Sequence, residues 1–342
     1  MAKARIVDAS HPQAIQEAAE IIRTGGLVAF PTETVYGLGA DACNPIAVAR
    51  IFEVKNRPSI DPLIVHVADA EEARLYGDFS YRFAPELMTK FWPGPLTMVV
   101  RRSGVVPPIV TAGLDTVAIR VPSHPSALAL IQAAGRAVAA PSANPFGYVS
   151  PTQADHVSEQ LADRIDLILN GGPCTVGVES TILSLAEPTP RILRAGGVTV
   201  EQLEAVVGAL EHSAEQGARP EAPGQLRRHY ATRTRLQILR DDDPRAKPGQ
   251  DERVGLLTLV PLHRLLPYAS VEVLSDSGDM REAAANLFAA LRRLDSQGLD
   301  RLVAHPIPEI GLGVAIMDRL RRCSAPASDD ADYQDKTIPP YC

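Results

Sequence analysis

The chain has 342 residues, a formal net charge of −7 and 45 % hydrophobic residues. At the usual ~150 residues per domain, this length predicts about two domains. The apolar share is enough to fill ordinary hydrophobic cores. The acidic charge argues against a protein whose whole surface binds nucleic acid, although it leaves room for a local basic patch.

The sequence also gives no support for a membrane protein, a secreted protein or a metal-binding protein. No apolar run approaches the ~20 residues that a membrane helix needs. The first 13 residues carry charges where a signal peptide would need an apolar stretch. The four cysteines are scattered without a Cys-x-x-Cys spacing, which argues against a zinc site and against a disulfide framework. We therefore expect a cytoplasmic protein whose partners are small molecules or proteins.

Helical and extended patterns alternate through the first 210 residues, which predicts α/β or α+β layers around a sheet. The first helix has clear ends, because Pro12 suits a first helical position and Gly25-Gly26 stops a helix. Further helices are predicted over residues 45–55, 80–91, 124–134, 152–162 and 199–210. Extended runs are predicted over residues 27–30, 63–67, 96–101, 116–121, 137–140, 166–170, 180–185 and 191–193.

This rhythm breaks at residues 211–234, which are charged, contain two prolines and show almost no apolar periodicity. Such a composition is typical of a linker. A second, smaller α/β domain is predicted over residues 235–325, and the acidic tail, residues 326–342, is expected to be disordered. Within that domain we predict strands over residues 254–260, 271–274 and 301–305 and helices over residues 279–297 and 313–323.

Two short motifs offer the chemistry of a phosphate site. Lys55 and Arg57 combine a point charge with a planar fork of donors, and Ser142 and Asn144 add two short polar side chains. Together they could hold a nucleotide triphosphate, and the chain has no Walker loop to do so. Taken alone, a Lys-x-Arg is usually a solvated cation pair, and a Ser-x-Asn is usually turn chemistry.

Further polar side chains stand at the ends of predicted strands, where the sites of α/β proteins collect. These groups are Thr32, Glu33 and Thr34 after the first run, His66 and Arg120 within apolar runs, and Glu179, Ser180 and Arg194 beside glycines. His66 alone would be an ordinary core histidine. Arg120, flanked by apolar residues, needs a carboxylate or phosphate partner. So many polar groups at strand ends indicate one shared site.

These blocks resemble the YrdC-like threonylcarbamoyl-AMP synthases in their long, two-domain form. The resemblance rests on residues 31–38, Lys55-x-Arg57-Pro58, Ser142-Ala143-Asn144 and Glu179-Ser180-Thr181, and it covers residues 10–205. Pro223-Gly224 with His229-Tyr230-Ala231, and residues 311–317, extend it to the linker and the second domain. One departure is Thr232, where the family's linker often has proline.

The resemblance implies a twisted mixed α/β open sheet with flanking helices, and a small Rossmann-like domain after residue 234. It also implies that L-threonine, bicarbonate and ATP, with Mg on its phosphates, give threonylcarbamoyl-AMP and pyrophosphate. The product would pass to the tRNA threonylcarbamoyl transferase machinery, which modifies an adenosine beside the anticodon. Direct contact with tRNA is left open.

Residue roles follow from the same resemblance. Lys55, Arg57, Ser142 and Asn144 would carry catalysis. The ATP-binding set would be Lys55, Arg57, Ser59, Thr116, Ser142, Asn144, Ser150, Arg194 and Tyr230. The threonine-binding set would be Thr32, Thr34, His66, Arg120, Ala140 and Ser180. Glu33 and Glu179 are candidates only for water-mediated support of the metal. Residues 223–231 would form a lid over the labile product.

Two other functions remain open at this level. The same fold could serve as an RNA-binding module without catalysis, since arginines bind either kind of phosphate, but the acidic charge disfavours it. Carbamoyl transfer, as in hydrogenase maturation, is the other. The lack of a cysteine-paired zinc motif and of an N-terminal acylphosphatase-like domain argues against it.

Overall fold

The computed structural model describes residues 3–212, 220–226, 229–239, 248–262 and 267–326. Nine helices lie in these ranges: α1 (Pro12–Arg23), α2 (Pro45–Lys55), α3 (Ala70–Tyr76), α4 (Ala84–Phe91), α5 (Pro125–Ala134), α6 (Ala154–Leu161), α7 (Val200–Val207), α8 (Met280–Asp295) and α9 (Leu312–Ser324). The strands of the described residues are β1 (Arg5–Asp8), β2 (Val28–Phe30), β3 (Gly37–Asp41), β4 (Ile64–His66), β5 (Gly77–Asp78), β6 (Leu96–Arg102), β7 (Thr116–Arg120), β8 (Val138–Ala139), β9 (Leu167–Asn170), β10 (Thr181–Ser184), β11 (Arg191–Arg194), β12 (Glu211–His212), β13 (Leu236–Ile238), β14 (Val254–Thr258), β15 (Ser270–Val273) and β16 (Arg301–Ala304).

One large mixed sheet organises the N-terminal part. Its strand order is β1-β9-β2-β3-β8-β4-β7-β6-β10-β11-β12, with β5 paired to β6. β4 and β7 run parallel and place His66 beside Arg120 as register partners, whereas β3, β8 and β4 alternate in direction. The predicted mixed sheet with flanking helices is thus confirmed. Because parallel neighbours end at the same edge, this topology brings polar strand ends together.

Helix α1 illustrates how the sequence specifies these elements. Pro12 stands at its first position, and the chain leaves the helix before Gly25, which has a φ of +84°. Ala14, Ile15, Ala18, Ala19 and Ile22 form one buried stripe at helical spacing. This stripe packs against α5 and the sheet, so burial of one apolar face stabilises the helix.

The C-terminal domain is a separate, all-parallel sheet with the order β13-β16-β14-β15. α8 and α9 pack on it through a core that also contains Val35, Val149 and Tyr230 of the preceding segments. The domain therefore shares its core with the N-terminal part and the linker. This position allows its helices to reach the site described below.

Several short elements were not predicted. β1, β3, β5, β12 and β13 and helix α3 lie where we expected irregular chain. β12 pairs with β11, so the large sheet continues into the range predicted as linker. Residues 213–219 and 227–228 of that linker, and the tail from residue 327, lie outside the described residues.

Candidate active site

A cavity of about 40 Å³ lies where strand ends of the large sheet meet the linker. Its lining combines polar strand ends with the linker segment: Thr32, Thr34, Val35, Gly37, Arg57, Ile64, His66, Arg120, Ala140, Pro141, Ser142, Glu179, Ser180, Arg194, Pro223, Gly224, His229 and Tyr230. All six residues expected to bind threonine are in this set. Of the residues expected to bind ATP, Arg57, Ser142, Arg194 and Tyr230 are present.

Arg120 is fixed by groups from two other segments, residues 33–34 and Gly94. Its Nη2 forms an ion pair with Glu33 Oε1 at 2.7 Å, Nη1 donates to Thr34 Oγ1 at 2.9 Å, and Nε donates to the Gly94 carbonyl at 3.2 Å. Glu33 also accepts a hydrogen bond from the backbone N–H of Ser123. Burial acts to raise the pKa of Glu33, but the charge and hydrogen bond of Arg120 together with backbone N–H groups, including that of Ser123, hold that pKa below its ordinary value. The guanidinium is therefore held rigidly at the cavity wall.

Besides Glu33, neutral polar groups lie near Arg120 at the cavity wall. The hydroxyls of Thr32 and Thr34 lie 2.8 Å apart. His66 Nδ1 is buried without a hydrogen-bond partner among the described residues. Burial and the charge of Arg120 lower the pKa of His66 to about 3, so its imidazole is neutral at neutral pH. The backbone N–H of Ala140 already donates to Ile64, which leaves only its carbonyl for a ligand.

Arg194 has a different environment, because its partners are uncharged. Nε and Nη2 donate to the Ser180 carbonyl at 3.1 and 2.9 Å, Nη2 donates to Ser180 Oγ at 3.1 Å, and Nη1 donates to the Pro223 carbonyl at 3.0 Å. Three other buried arginines are paired with carboxylates, as Arg57 to Asp61, Arg120 to Glu33 and Arg319 to Glu179. Within the described ranges, no carboxylate forms an ion pair with Arg194. Its charge is therefore available to an anionic ligand.

Lys55 and Arg57 do not lie side by side at the cavity. Arg57 lines it, and Asp61 holds its guanidinium at 2.9 Å. Lys55 is 1 % exposed and donates from Nζ to the Ser142 carbonyl at 2.6 Å and to the Asn144 carbonyl. Burial lowers the pKa of Lys55 well below its ordinary value. In this structure, Lys55 fixes the loop that carries Ser142 and Asn144.

Four further predicted residues lie outside the cavity lining. Asn144 donates to the Pro145 and Tyr148 carbonyls, and its Oδ1 is buried without a partner among the described residues. Ser150 donates to Glu179 Oε1 at 2.6 Å. Ser59 is half-buried in the turn after Arg57. Thr116 begins β7, roughly 13 Å of strand from Arg120 at the ~3.3 Å rise per residue.

The linker lines one side of the cavity. Tyr230 is fully buried, and its ring stacks on Phe288 at 5.5 Å. Its backbone has a φ of +61°, which is uncommon for a residue other than glycine, and its hydroxyl is buried without a described partner. Gly224 packs so closely that a Cβ atom there would lie 2.9 Å from the Tyr230 hydroxyl. The linker is therefore packed tightly against this side of the cavity.

Sequence reasoning missed two residues of this site. Asp61, the partner of Arg57, could have been found, because it stands four residues further on. Arg319 of α9 is fully buried and pairs with Glu179. Its signal was its place on the apolar stripe with Ile316, Leu320 and Cys323, where a charge is unusual.

The described residues supply no protein ligand set for magnesium. They contain no group of three or more His, Cys, Asp or Glu side chains that could hold a metal ion. The two candidate carboxylates are each engaged by an arginine, Glu33 by Arg120 and Glu179 by Arg319. In the same part of the chain, no helix has the length and apolar character to span a membrane.

Family profiles and curated relatives match most of the chain. A family profile described as telomere recombination matches residues 20–196, and one described as threonylcarbamoyl-AMP synthase, C-terminal domain, matches residues 198–325. The threonylcarbamoyl-AMP synthase of Pyrococcus abyssi is 43 % identical over 318 residues, covering 91 % of this chain and 94 % of the relative. That of Bacillus subtilis is 43 % identical over 320 residues, covering 91 % and 92 %.

A solved structure resembles both domains. The crystal structure of P. abyssi Sua5 complexed with L-threonine has a TM-score of 0.84 and 41 % sequence identity, and the match covers 92 % of this chain and 95 % of that one. The profile matches and the curated relatives extend over most of the sequence. The chain belongs to the threonylcarbamoyl-AMP synthase family.

Proposed function

We propose that this chain joins L-threonine, bicarbonate and ATP into threonylcarbamoyl-AMP, with release of pyrophosphate and water, and so acts as a nucleotidyltransferase. The observation that carries the proposal is the contrast between two arginines in one cavity. Arg120 is held rigidly by Glu33 and Thr34, whereas Arg194 has no described carboxylate partner. A fixed fork suits the threonine carboxylate, and an uncompensated guanidinium suits phosphate.

The chemistry needs little from a protein base. The threonine amine first takes up carbon dioxide or bicarbonate to give an N-carbamate. One carbamate oxygen then attacks the α-phosphorus in line, and the bond to pyrophosphate breaks. Because this nucleophile is already anionic, catalysis comes from positioning and from stabilisation of charge. His66 does not have to act as a base in this step. Because its imidazole is neutral, it can hydrogen-bond the carbamate without contributing a charge.

The roles of individual residues belong to the same proposal. Thr32, Thr34, His66, Arg120, Ala140 and Ser180 would surround threonine, and Arg57, Ser142, Arg194 and Tyr230 would contact the nucleotide. Lys55 and Asn144 would act through the loop that presents Ser142. Magnesium would be held by ATP phosphates and water, because no protein ligand set exists among the described residues.

The cellular context is part of the proposal too. Residues 1–210 would carry the catalytic domain, 211–234 the linker and 235–325 the small domain. A carbamoyl adenylate is labile in water, so a transferase that modifies tRNA would have to consume it promptly. We assign this step to the cytoplasm.

The direct test is pyrophosphate release from ATP by the purified chain, with threonine and bicarbonate present and with each omitted. We expect release only when both are supplied, because the carbamate is the nucleophile. Release that ignores threonine would contradict the synthase assignment. Absence of release in the complete mixture would favour a binding module of the same fold.

The linker is proposed to act as a lid. The cavity of about 40 Å³ is far smaller than the ~300–1,000 Å³ of a usual ligand cleft. Pro223, Gly224, His229 and Tyr230 occupy one side of it. ATP can therefore enter only if this segment moves, and its return would shield the product from water.

Tyr230→Ala tests the lid. Tyr230 stacks on Phe288 and lies under the Arg319 guanidinium, contacts worth about 0.5–1.5 kcal/mol each. Their loss should shorten the lifetime of the adenylate on the enzyme or change the Kd for ATP, by roughly tenfold. Single-turnover measurements with labelled ATP report both quantities.

The matched control is Tyr81→Ala, because Tyr81 lies at the protein surface, where its hydroxyl donates to Pro188 and does not touch the cavity. This variant should keep both quantities within about twofold of the parent. An unaltered lifetime and an unaltered Kd in Tyr230→Ala would refute the lid.

A further inference from the structure

Arg319 connects the C-terminal domain to two residues that line the cavity, Glu179 and Tyr230. It lies on α9 and is fully buried, yet its guanidinium contacts three other segments. Nε donates to Glu179 Oε2 at 2.8 Å, Nη2 donates to the Ala195 carbonyl at 2.9 Å, and the guanidinium carbon lies 5.0 Å from the centre of the Tyr230 ring. One side chain thus connects the small domain, the large sheet and the linker.

Glu179 is the group that this contact controls. It lines the cavity, and its two oxygens are divided between Arg319 and the Ser150 hydroxyl. Burial acts to raise its pKa, but the charges of Arg319 and then Arg194 lower it below the ordinary value, so Glu179 is anionic. A buried anion needs a cationic partner, and Arg319 supplies it.

Arg194 is the alternative partner for that anion. Its guanidinium is anchored on Ser180, the residue next to Glu179, and the following Ala195 is bound by Arg319 itself. The two segments are in close contact, because a Cβ atom on Gly196 would lie 2.2 Å from the Glu179 carbonyl oxygen. After Arg319, Arg194 is the other cation whose charge acts on Glu179.

We propose that Arg319 is a positioning residue: by pairing with Glu179 it keeps that carboxylate from neutralising Arg194, so that Arg194 stays available to the phosphate groups of ATP. This inference rests on the proposed role of the site in binding ATP. It assigns the C-terminal domain a share in nucleotide binding, although Arg319 itself need not touch the nucleotide.

The test combines Arg319→Met with Glu179→Gln and measures the Kd of a non-hydrolysable ATP analogue by calorimetry. In the parent, Arg319→Met should raise this Kd about tenfold, because Glu179 then pairs with Arg194. In the Glu179→Gln background no carboxylate remains to compete, and the same substitution should change the Kd less than about twofold. Equal fold-changes in the two backgrounds would mean that Arg319 acts only by stabilising the fold, and they would overturn the proposal.

Arg292→Met is the matched control. Arg292 is a buried arginine of α8 that also bridges the domains, through the Val149 and Ser150 carbonyls, but it touches neither Glu179 nor Tyr230. Its loss should lower the melting temperature and leave the Kd within about twofold of the parent. A Kd raised as much as in Arg319→Met would mean that any loosened domain contact weakens ATP binding, which contradicts the specific role.

Arg319→Met leaves the buried carboxylate of Glu179 without its ion-pair partner and is strongly destabilising. If this variant does not fold, Arg319→Gln carries the comparison, since its amide can still donate to the Ala195 carbonyl but carries no charge for Glu179. Its Kd should also rise in the parent and stay nearly unchanged in Glu179→Gln, and equal rises in both would overturn the proposal. This binding test does not depend on turnover. If the parent binds the analogue but releases no threonine-dependent pyrophosphate, the proposed reaction is refuted, and the test of Arg319 still applies.

Discussion

Arg120→Ala should weaken threonine binding by about 2 to 5 kcal/mol, which raises the KM for threonine. The KM for ATP should stay nearly unchanged. The reason is that Arg120 is the rigid fork at the end of β7, held at 2.7 Å by Glu33 and at 2.9 Å by Thr34. Its removal deprives the threonine carboxylate of its proposed partner. Initial rates of pyrophosphate release, with each substrate varied in turn, measure both constants.

The buried carboxylate of Glu33 complicates this variant, because it loses its partner and destabilises the fold. The double variant Glu33→Gln/Arg120→Ala removes both charges, and it should recover much of the melting temperature without recovering threonine use. Arg136→Ala is the matched control, since Arg136 also pairs with a buried carboxylate, Asp41, but lies outside the cavity. A larger loss in ATP use than in threonine use would reverse the assignment of Arg120.

The strand-end positions of His66 and Arg120 could be predicted from the sequence, because they depend on local patterns, whereas the pairing of β4 with β7 could not. Each stands at the end of an apolar run, and parallel neighbours in a sheet end at one edge. The structure pairs the two residues in register across β4 and β7. The bounds of α1 were equally accessible, since Pro12 and Gly25 mark them chemically.

Other features depend on contacts between distant segments and could not be predicted. β3 was expected to be irregular, because its glycines suggest a turn. Gly39 is instead extended, and a Cβ atom there would lie 2.7 Å from Val138 and 2.8 Å from Phe30. Only the packing of these neighbours explains the glycine. The same holds for Arg319, whose partner Glu179 is 140 residues away.

Lys55 lies between these cases. The buried face of α2 consists of Ala47, Val48, Ile51, Phe52 and Lys55, so helical periodicity places the lysine on the apolar side. That pattern was available in the sequence and indicates a buried ammonium rather than one exposed at a phosphate. What periodicity could not give is the identity of its two acceptors, which lie 87 and 89 residues further along the chain.

Lys55→Ala should therefore weaken ATP use through the loop that carries Ser142. The substitution leaves the Ser142 and Asn144 carbonyls without the ammonium that joins them, at a cost of about 1–3 kcal/mol for each buried group. We expect kcat/KM for ATP to fall by about 2 to 5 kcal/mol of transition-state stabilisation, while the KM for threonine changes little. The same pyrophosphate assay, with ATP varied at saturating threonine, measures the effect.

Two variants separate an effect that acts through the loop at residues 142–144 from general destabilisation of the fold. Lys55→Met fills most of the volume but cannot donate a hydrogen bond. Its melting temperature should therefore fall less than that of Lys55→Ala, whereas its ATP use should fall as much. Lys90→Ala removes an exposed lysine of α4 and should match the parent in both measurements. If Lys55→Met retained full ATP use, the hydrogen bonds to the loop would be dispensable, and Lys55 would contribute only packing. If threonine use fell while ATP use held, the loop at residues 142–144 would serve the amino acid, and the division of the cavity proposed above would be wrong.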